Sequence, residues 1–473
     1  MYSALILLGA ANLALLLLCL SVRHPKLRSA FGKILAVTLL LVGTSRLFFS
    51  DSFIYVINGG WFEDTYYETQ DVLQLVLRWG LSLATTVLPM AVFCDSRFFK
   101  NLAASVVLPF SVASVFFYDD FMAYFLQPNV HGYTVDPLIR HILFTAELVL
   151  AISLPLFICI GERRFFRFGS FREFRKFIIG TPFAVLAMMP VYAPQVIFGY
   201  DLNKPDWFSV FHLLWLSGLL IVTLALYYLF RFRTYKERYH LLLFLTLVLF
   251  YHYHSMYLMG VTLSRLPFQL CNIATYFYLF AAVFGSKKMF HFCFLANMVG
   301  TIFAILLPTF SFGNLGFWNV HFLLQHTFVL IVPAVGMGLR IFPRVTLKSF
   351  IPYFVGFTSY FLFVFVLGTI LNGDSEEIIV NYFYMFDHKL AFSYFPFLTF
   401  TAKYSFTVGS FTVYPLVVSI VYLGFSFLVF LFYLAVRLFY KLEDDHLALR
   451  RSGIELHEKL FRKPSRRPKH FID

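Results

Sequence analysis

The chain alternates between long apolar runs and short polar stretches, and the length of those runs sets the fold class. A helix needs about 20 apolar residues to cross roughly 30 Å of hydrocarbon. Thirteen segments qualify, near 1–22, 34–58, 72–94, 103–125, 138–161, 177–200, 208–230, 241–262, 265–284, 290–312, 321–340, 350–371 and 411–436. The pattern predicts an all-α polytopic membrane bundle of about 13 transmembrane helices. Met1 to Val22 has no basic stretch before it, and Arg23 and Lys26 follow it. It therefore reads as a first spanning helix rather than a signal peptide.

The polar stretches alternate in charge. Basic ones hold Arg23, Lys26, Arg28 and Lys33; Arg97 and Lys100; six Lys or Arg between Glu162 and Lys176; Arg231, Arg233, Lys236 and Arg238; Lys287 and Lys288; Arg340, Arg344 and Lys348. Between them lie Glu63, Asp64, Glu68 and Asp71, then Asp119, Asp120 and Asp136, then the stretch 201–207, whose only basic residue is Lys204. Basic loops face the cytoplasm. The N-terminus is then outside, the C-terminus inside, and the expected location is the cytoplasmic (plasma) membrane.

Composition agrees. Hydrophobic residues make up 60% of 473 and charged residues 13%, against about 25% charged in soluble domains. A soluble enzyme and a disordered chain are both excluded. The net charge of +13 lies in loops and tail, so it needs no nucleic-acid partner. The tail 441–473, with nine basic and six acidic residues, suits anionic headgroups. Cys19, Cys94, Cys159, Cys271 and Cys293 are odd in number and match no zinc spacing. No nucleotide or metal signature appears. His252 and His254 point about 200° apart on a helix. No cofactor or metal is expected.

Two stretches repeat. AVFCDSRFF (Ala91 to Phe99) resembles AVFGSKKMF (Ala282 to Phe290), and the stretch from Asp136 resembles that from Asn319, with His141 on His326. The predicted organisation is two parallel six-helix repeats plus one C-terminal helix. Residues 1–200 form the first repeat, 201–440 the second with the last helix, and 441–473 a basic cytoplasmic tail.

Ionisable groups at membrane depth usually face the bundle interior. Those here are Arg46, Asp51, Arg78, Arg140, His141, Glu147, His252, His254, Arg265, His321 and His326. Each also suits a buried bond that only fixes helix packing. One pair is matched in depth. Cys271 lies six residues past Arg265 and His326 five past His321, about 8–9 Å below the outer helix ends. A thiol beside an imidazole can act as an activated nucleophile on an ester carbonyl. Gln269, Asn272, Gln325 and Tyr276 are nearby groups that could orient the imidazole or bind an oxyanion. Under the offset of the AVF motifs, Cys271 falls on Gly80 and Gln269 on Arg78, so the first repeat is expected to be non-catalytic.

RLPFQLCNIATY (Arg265 to Tyr276), FLLQHTFVL around His326, NYFYMF from Asn381 and VYPL at Tyr414-Pro415 resemble the YwaF-like integral membrane family over roughly 240–435. The resemblance implies kinship with an animal ether-phospholipid acyltransferase. It implies Cys271 as acyl-accepting nucleophile, His326 as general base, and membrane phospholipids as partners. Three functions follow: a thiol-dependent lipid acyltransferase, a parallel-repeat transporter or lipid flippase, and a structural membrane subunit.

Overall fold

A computed structural model describes residues 2–48, 69–125, 136–161, 168–199, 203–259, 261–311, 313–373, 378–389, 392 and 396–461. Asp51 and most of the acidic stretch 59–71 lie outside these residues, as does the end of the tail. The helices of the first half are α1 (Tyr2–Arg23), α2 (Pro25–Phe48), α3 (Thr69–Phe93), α4 (Arg97–Leu102), α5 (Leu108–Phe116), α6 (Tyr118–Phe125), α7 (Pro137–Gly161), α8 (Phe171–Ala187) and α9 (Ala193–Phe198). A π turn, Ala103–Val107, joins α4 to α5. The second half holds α10 (Val210–Phe230), α11 (Tyr235–His254), α12 (Leu270–Phe284), α13 (Lys287–Leu306), α14 (Phe317–Gly338), α15 (Phe350–Asn372) and α16 (Pro415–Phe461). Between α15 and α16 a small antiparallel hairpin pairs Phe406 with Val413 and Val408 with Phe411. It turns at Gly409, where φ is +60° and an added Cβ would collide with the Gly373 carbonyl.

Among the described residues eleven helices are long and apolar enough to cross a membrane, so the chain is a polytopic all-α membrane protein. Two of the thirteen expected spans are not single long helices. The expected 177–200 breaks between α8 and α9, where Pro190 and Pro194 deny backbone donors. Neighbours satisfy the exposed carbonyls: Trp79 donates to Val185 O at 2.7 Å and His252 Nε2 to Ala187 O at 2.7 Å. The expected 265–284 is helical only from Leu270, because Pro267 disfavours helix before it. The expected boundary at 440/441 falls within α16, which runs unbroken for 47 residues, about 70 Å.

The basic stretches gather at one end of the bundle. Arg28 lies over Phe157 and Lys33 over Phe93. Arg97 pairs with Glu173, Lys176 with Glu237, and Arg344 with Glu443 and Asp444. Tyr239 donates to Ala282 O and His291 to Pro343 O. The chain thus returns to this end after each pair of crossings, which requires α8–α9 and α12 with its lead-in to cross as well.

The two halves share most of their helix pairings, although the α1–α2 contact of the first has no counterpart of similar extent between α10 and α11. In the first, α7 lies against α1, α2, α3 and α5, while α3 lies against α2 and the α4–α5 unit. In the second, α14 lies against α10, α11, α12 and α13, while α12 lies against α11 and α13. Contacts of α11 with α3 and α2 join the halves, and α16 packs on α13.

Candidate functional site

Cys271 stands in the first turn of α12, at the end of the bundle opposite the basic loops. Its lead-in, residues 263–269, is short of helical hydrogen bonds, and an apolar setting requires every backbone carbonyl to find a donor. Tyrosines supply them. Tyr382 donates to Leu263 O at 2.5 Å, Tyr257 to Arg265 O at 3.1 Å, and Tyr360 to Phe268 O at 3.0 Å. Tyr253, bonded to Tyr257 at 2.9 Å, also reaches Arg265 O at 3.5 Å. The Arg265 guanidinium lies over the Trp318 ring at 4.7 Å.

Gln269, which precedes the helix, clamps a second irregular segment. Its Nε2 donates to Asn381 O at 3.2 Å and its Oε1 accepts from Phe383 N–H at 3.0 Å. Phe383 has φ +58°, a left-handed conformation that persists only when its surroundings hold it. Asn372 at the end of α15 pins the same segment through Ile379 N, Val380 N and Val380 O, at 2.8–2.9 Å.

A polar chain crosses from α12 to α14. The Cys271 thiol donates to Asn272 Oδ1 at 3.4 Å, and Gln325 Nε2 donates to the same oxygen at 2.8 Å. Residues 271–272 and 325–326 therefore stand at one level. Their helices begin at different depths, since Cys271 is the second residue of α12 and His326 the tenth of α14. His326 is buried, and its Nδ1 donates to Phe322 O at 2.7 Å. A carbonyl only accepts, so the proton is on Nδ1 and the lone pair on Nε2. Among the described residues nothing bonds that Nε2, and no hydrogen bond joins Cys271 to His326. Tyr276 points elsewhere: its hydroxyl donates to His254 Nε2 at 2.8 Å, because His254 Nδ1 donates to Phe250 O.

Sequence reasoning thus named Gln269, Cys271, Asn272, Gln325 and His326, and the structure links Cys271, Asn272 and Gln325 directly. It missed Tyr253, Tyr257, Tyr360 and Asn372. Among 28 tyrosines and 64 phenylalanines no spacing singles these out, because their targets are carbonyls distant in sequence. No group of three or more metal-ligating side chains occurs among the described residues.

The first half is built differently. At Gly80, the position aligned with Cys271, an added Cβ would come within 2.5 Å of Phe110 Cβ. That slot has no room for a thiol. Arg46 donates to Glu147 at 2.9 Å inside the bundle, Arg78 lies 3.8 Å from the Phe121 ring centre, and His141 is bonded to the Tyr118 hydroxyl at 2.9 Å.

The fold and this interior define a many-pass α-helical membrane protein with an irregular helix start enclosed by polar side chains. Residues 207–439 match the model of the TMEM164 family. The match encloses Cys271 and His326 and covers just under half of the chain, leaving the first six spans outside it. No curated protein and no solved structure matches the chain.

Proposed function

We propose that the second half is a membrane acyltransferase that moves a fatty acyl group between phospholipids through Cys271. The observation that carries this reading is the shared Asn272 oxygen, bonded to both the Cys271 thiol and Gln325, with His326, whose Nε2 has no bond among the described residues, next to Gln325 in sequence. Cys271 attacks the ester carbonyl of a donor lipid, the S–C bond forms and the C–O bond breaks. His326 Nε2 takes the thiol proton and passes it to the departing lysolipid oxygen. The acceptor hydroxyl then gives its proton to Nε2, attacks the thioester and releases the thiol. The step requires Cys271 to turn from Asn272 toward His326, which leaves Gln325 as the donor to Asn272 Oδ1, while the Asn272 Nδ2–H is the group able to donate to the oxyanion. With the basic end in the cytoplasm of a plasma membrane, the sulfur acts toward the outer leaflet.

The same resemblance that names the YwaF-like family and the ether-phospholipid acyltransferase supports this chemistry. Glu147, one of the charges a transport path would use, is held by Arg46, so that charge does not favour the transporter reading. The test is transfer from a labelled phosphatidylcholine to a lysophospholipid in proteoliposomes. Cys271→Ser should fall to background, and full transfer by Cys271→Ser would exclude the reading.

A further inference from the structure

Among the described residues, the only buried Lys, Arg, Asp or Glu side chains are Arg46, Arg78, Arg140 and Glu147. All belong to the first half, and three are cationic against one anionic. An unpaired charge in an apolar interior costs several kcal/mol, and arginine does not shed its proton to escape that cost. Such groups persist when a counter-ion reaches them.

Arg46 has its counter-ion in Glu147. Arg78 accepts help from Gln74, whose Oε1 takes its Nη1 at 2.5 Å, and from the Phe121 face. Arg140 has neither. Its side chain is 2% exposed, and among the described residues its Nε and Nη2 have no partner. Gln74 is 0% exposed, and its Nε2 likewise has no partner among them. Every one of these orphaned atoms is a donor, so the missing group is an acceptor.

The groups are clustered. Arg46 and Arg78 both face the Phe121 ring, which stacks on Phe144 at 4.3 Å. Phe144 is one turn along α7 from Arg140, and Glu147 two turns, on one face of the helix. All four polar residues lie within about 15 Å of the helix ends opposite the basic loops. That is the level of headgroups and upper acyl chains. Arg140 also sits in the first turn of α7, whose positive end adds to its own charge.

We propose that the first half contains a binding site for a phosphate group, held by Arg140 and Gln74 beside Arg46 and Arg78. The site is separate from Cys271 and does not rest on the acyltransfer reading. The phosphate comes either from a phospholipid headgroup or from the free ion.

The test uses the full chain purified in phosphate-free detergent, followed by thermal melting and by phosphorus analysis of bound lipid. Inorganic phosphate, phosphatidylglycerol and a phosphate-free diacylglycerol are titrated separately. Saturable stabilisation by a phosphate-bearing probe, at least tenfold weaker in Arg140→Gln and weaker in Gln74→Leu, is expected. A response to inorganic phosphate alone identifies the free ion, and a response only to the phospholipid identifies a headgroup. Because the removed charge has no counter-charge among the described residues, Arg140→Gln should melt no lower than wild type without probe. A lower melting temperature, equal binding by wild type and Arg140→Gln, or no response to any phosphate-bearing probe would overturn the proposal.

Discussion

The two halves share most of their helix pairings yet fill matching slots with opposite chemistry. Where the first half has Arg78, the second has Gln269; where the first has Arg140, next to His141, the second has Gln325, next to His326. The glutamines are neutral and have both donors and acceptors, so they close bonds within the protein: Gln269 to 381 and 383, Gln325 to 272. The arginines are donors only. One leans on Gln74 and an aromatic ring, and the other has its Nε and Nη2 without a partner among the described residues. The difference teaches that one helical scaffold can hold a self-satisfied polar interior, suited to keeping an irregular helix start in place. The same scaffold can also hold a charged interior that awaits an anion.

The comparison breaks most visibly at His326. His326→Ala should lower acyl transfer by about 10²–10⁴-fold, the usual worth of a positioned base. Cys94→Ala, in the first half's apolar core, should leave it within about twofold. Equal losses in proteoliposome turnover would mean that the halves are not chemically distinct. Next in size is Glu147→Gln, which leaves Arg46 buried without its counter-charge. It should destabilise the protein by about 3–5 kcal/mol, read from denaturation in detergent. Gln325→Leu, the neutral counterpart, should cost only about 1–3 kcal/mol. If the two cost the same, the charged interior is not what sets the first half apart.

Smaller again is Tyr360→Phe, which frees the Phe268 carbonyl. A loss of about 1 kcal/mol is expected, and acyl transfer should drop while the helical signal in circular dichroism stays. Unchanged transfer would mean that the tyrosines do not position Cys271. The smallest effect lies outside both interiors. In the loop after α3, the bond from Lys100 holds the Asp95 carboxyl below its ordinary value of 3.8. Its contribution is complete above pH 3.8 and fades as pH falls through the lower folded value. Melting curves of wild type and Asp95→Asn should differ at pH 6 and converge on acidification. A gap that widens in acid would reverse this sign.

Much of the fold was legible because hydrocarbon thickness imposes one length on every span, and charge fixes which loops share an end. The exceptions, 177–200 and 265–284, are both proline-bearing. Apolar composition cannot tell a continuous helix from a broken one whose carbonyls are taken by Trp79, His252 or Tyr360. At the site, equal distance from assumed helix ends paired Cys271 with His326. The structure reaches the same level by another route, since one helix starts late and the other early, and Asn272 and Gln325 set their register. Side-chain direction was not legible. Cys271 turns to Asn272 and Tyr276 to His254, choices made by neighbours far away in sequence.

The acyl-enzyme itself is the most direct test. The purified chain is incubated with an alkyne-tagged acyl phospholipid, digested and analysed by mass spectrometry. A hydroxylamine-labile acyl group is expected on Cys271, absent in Cys271→Ser and slower to form in His326→Ala. An acyl group on another residue, or transfer that proceeds with Cys271 never modified, would contradict it.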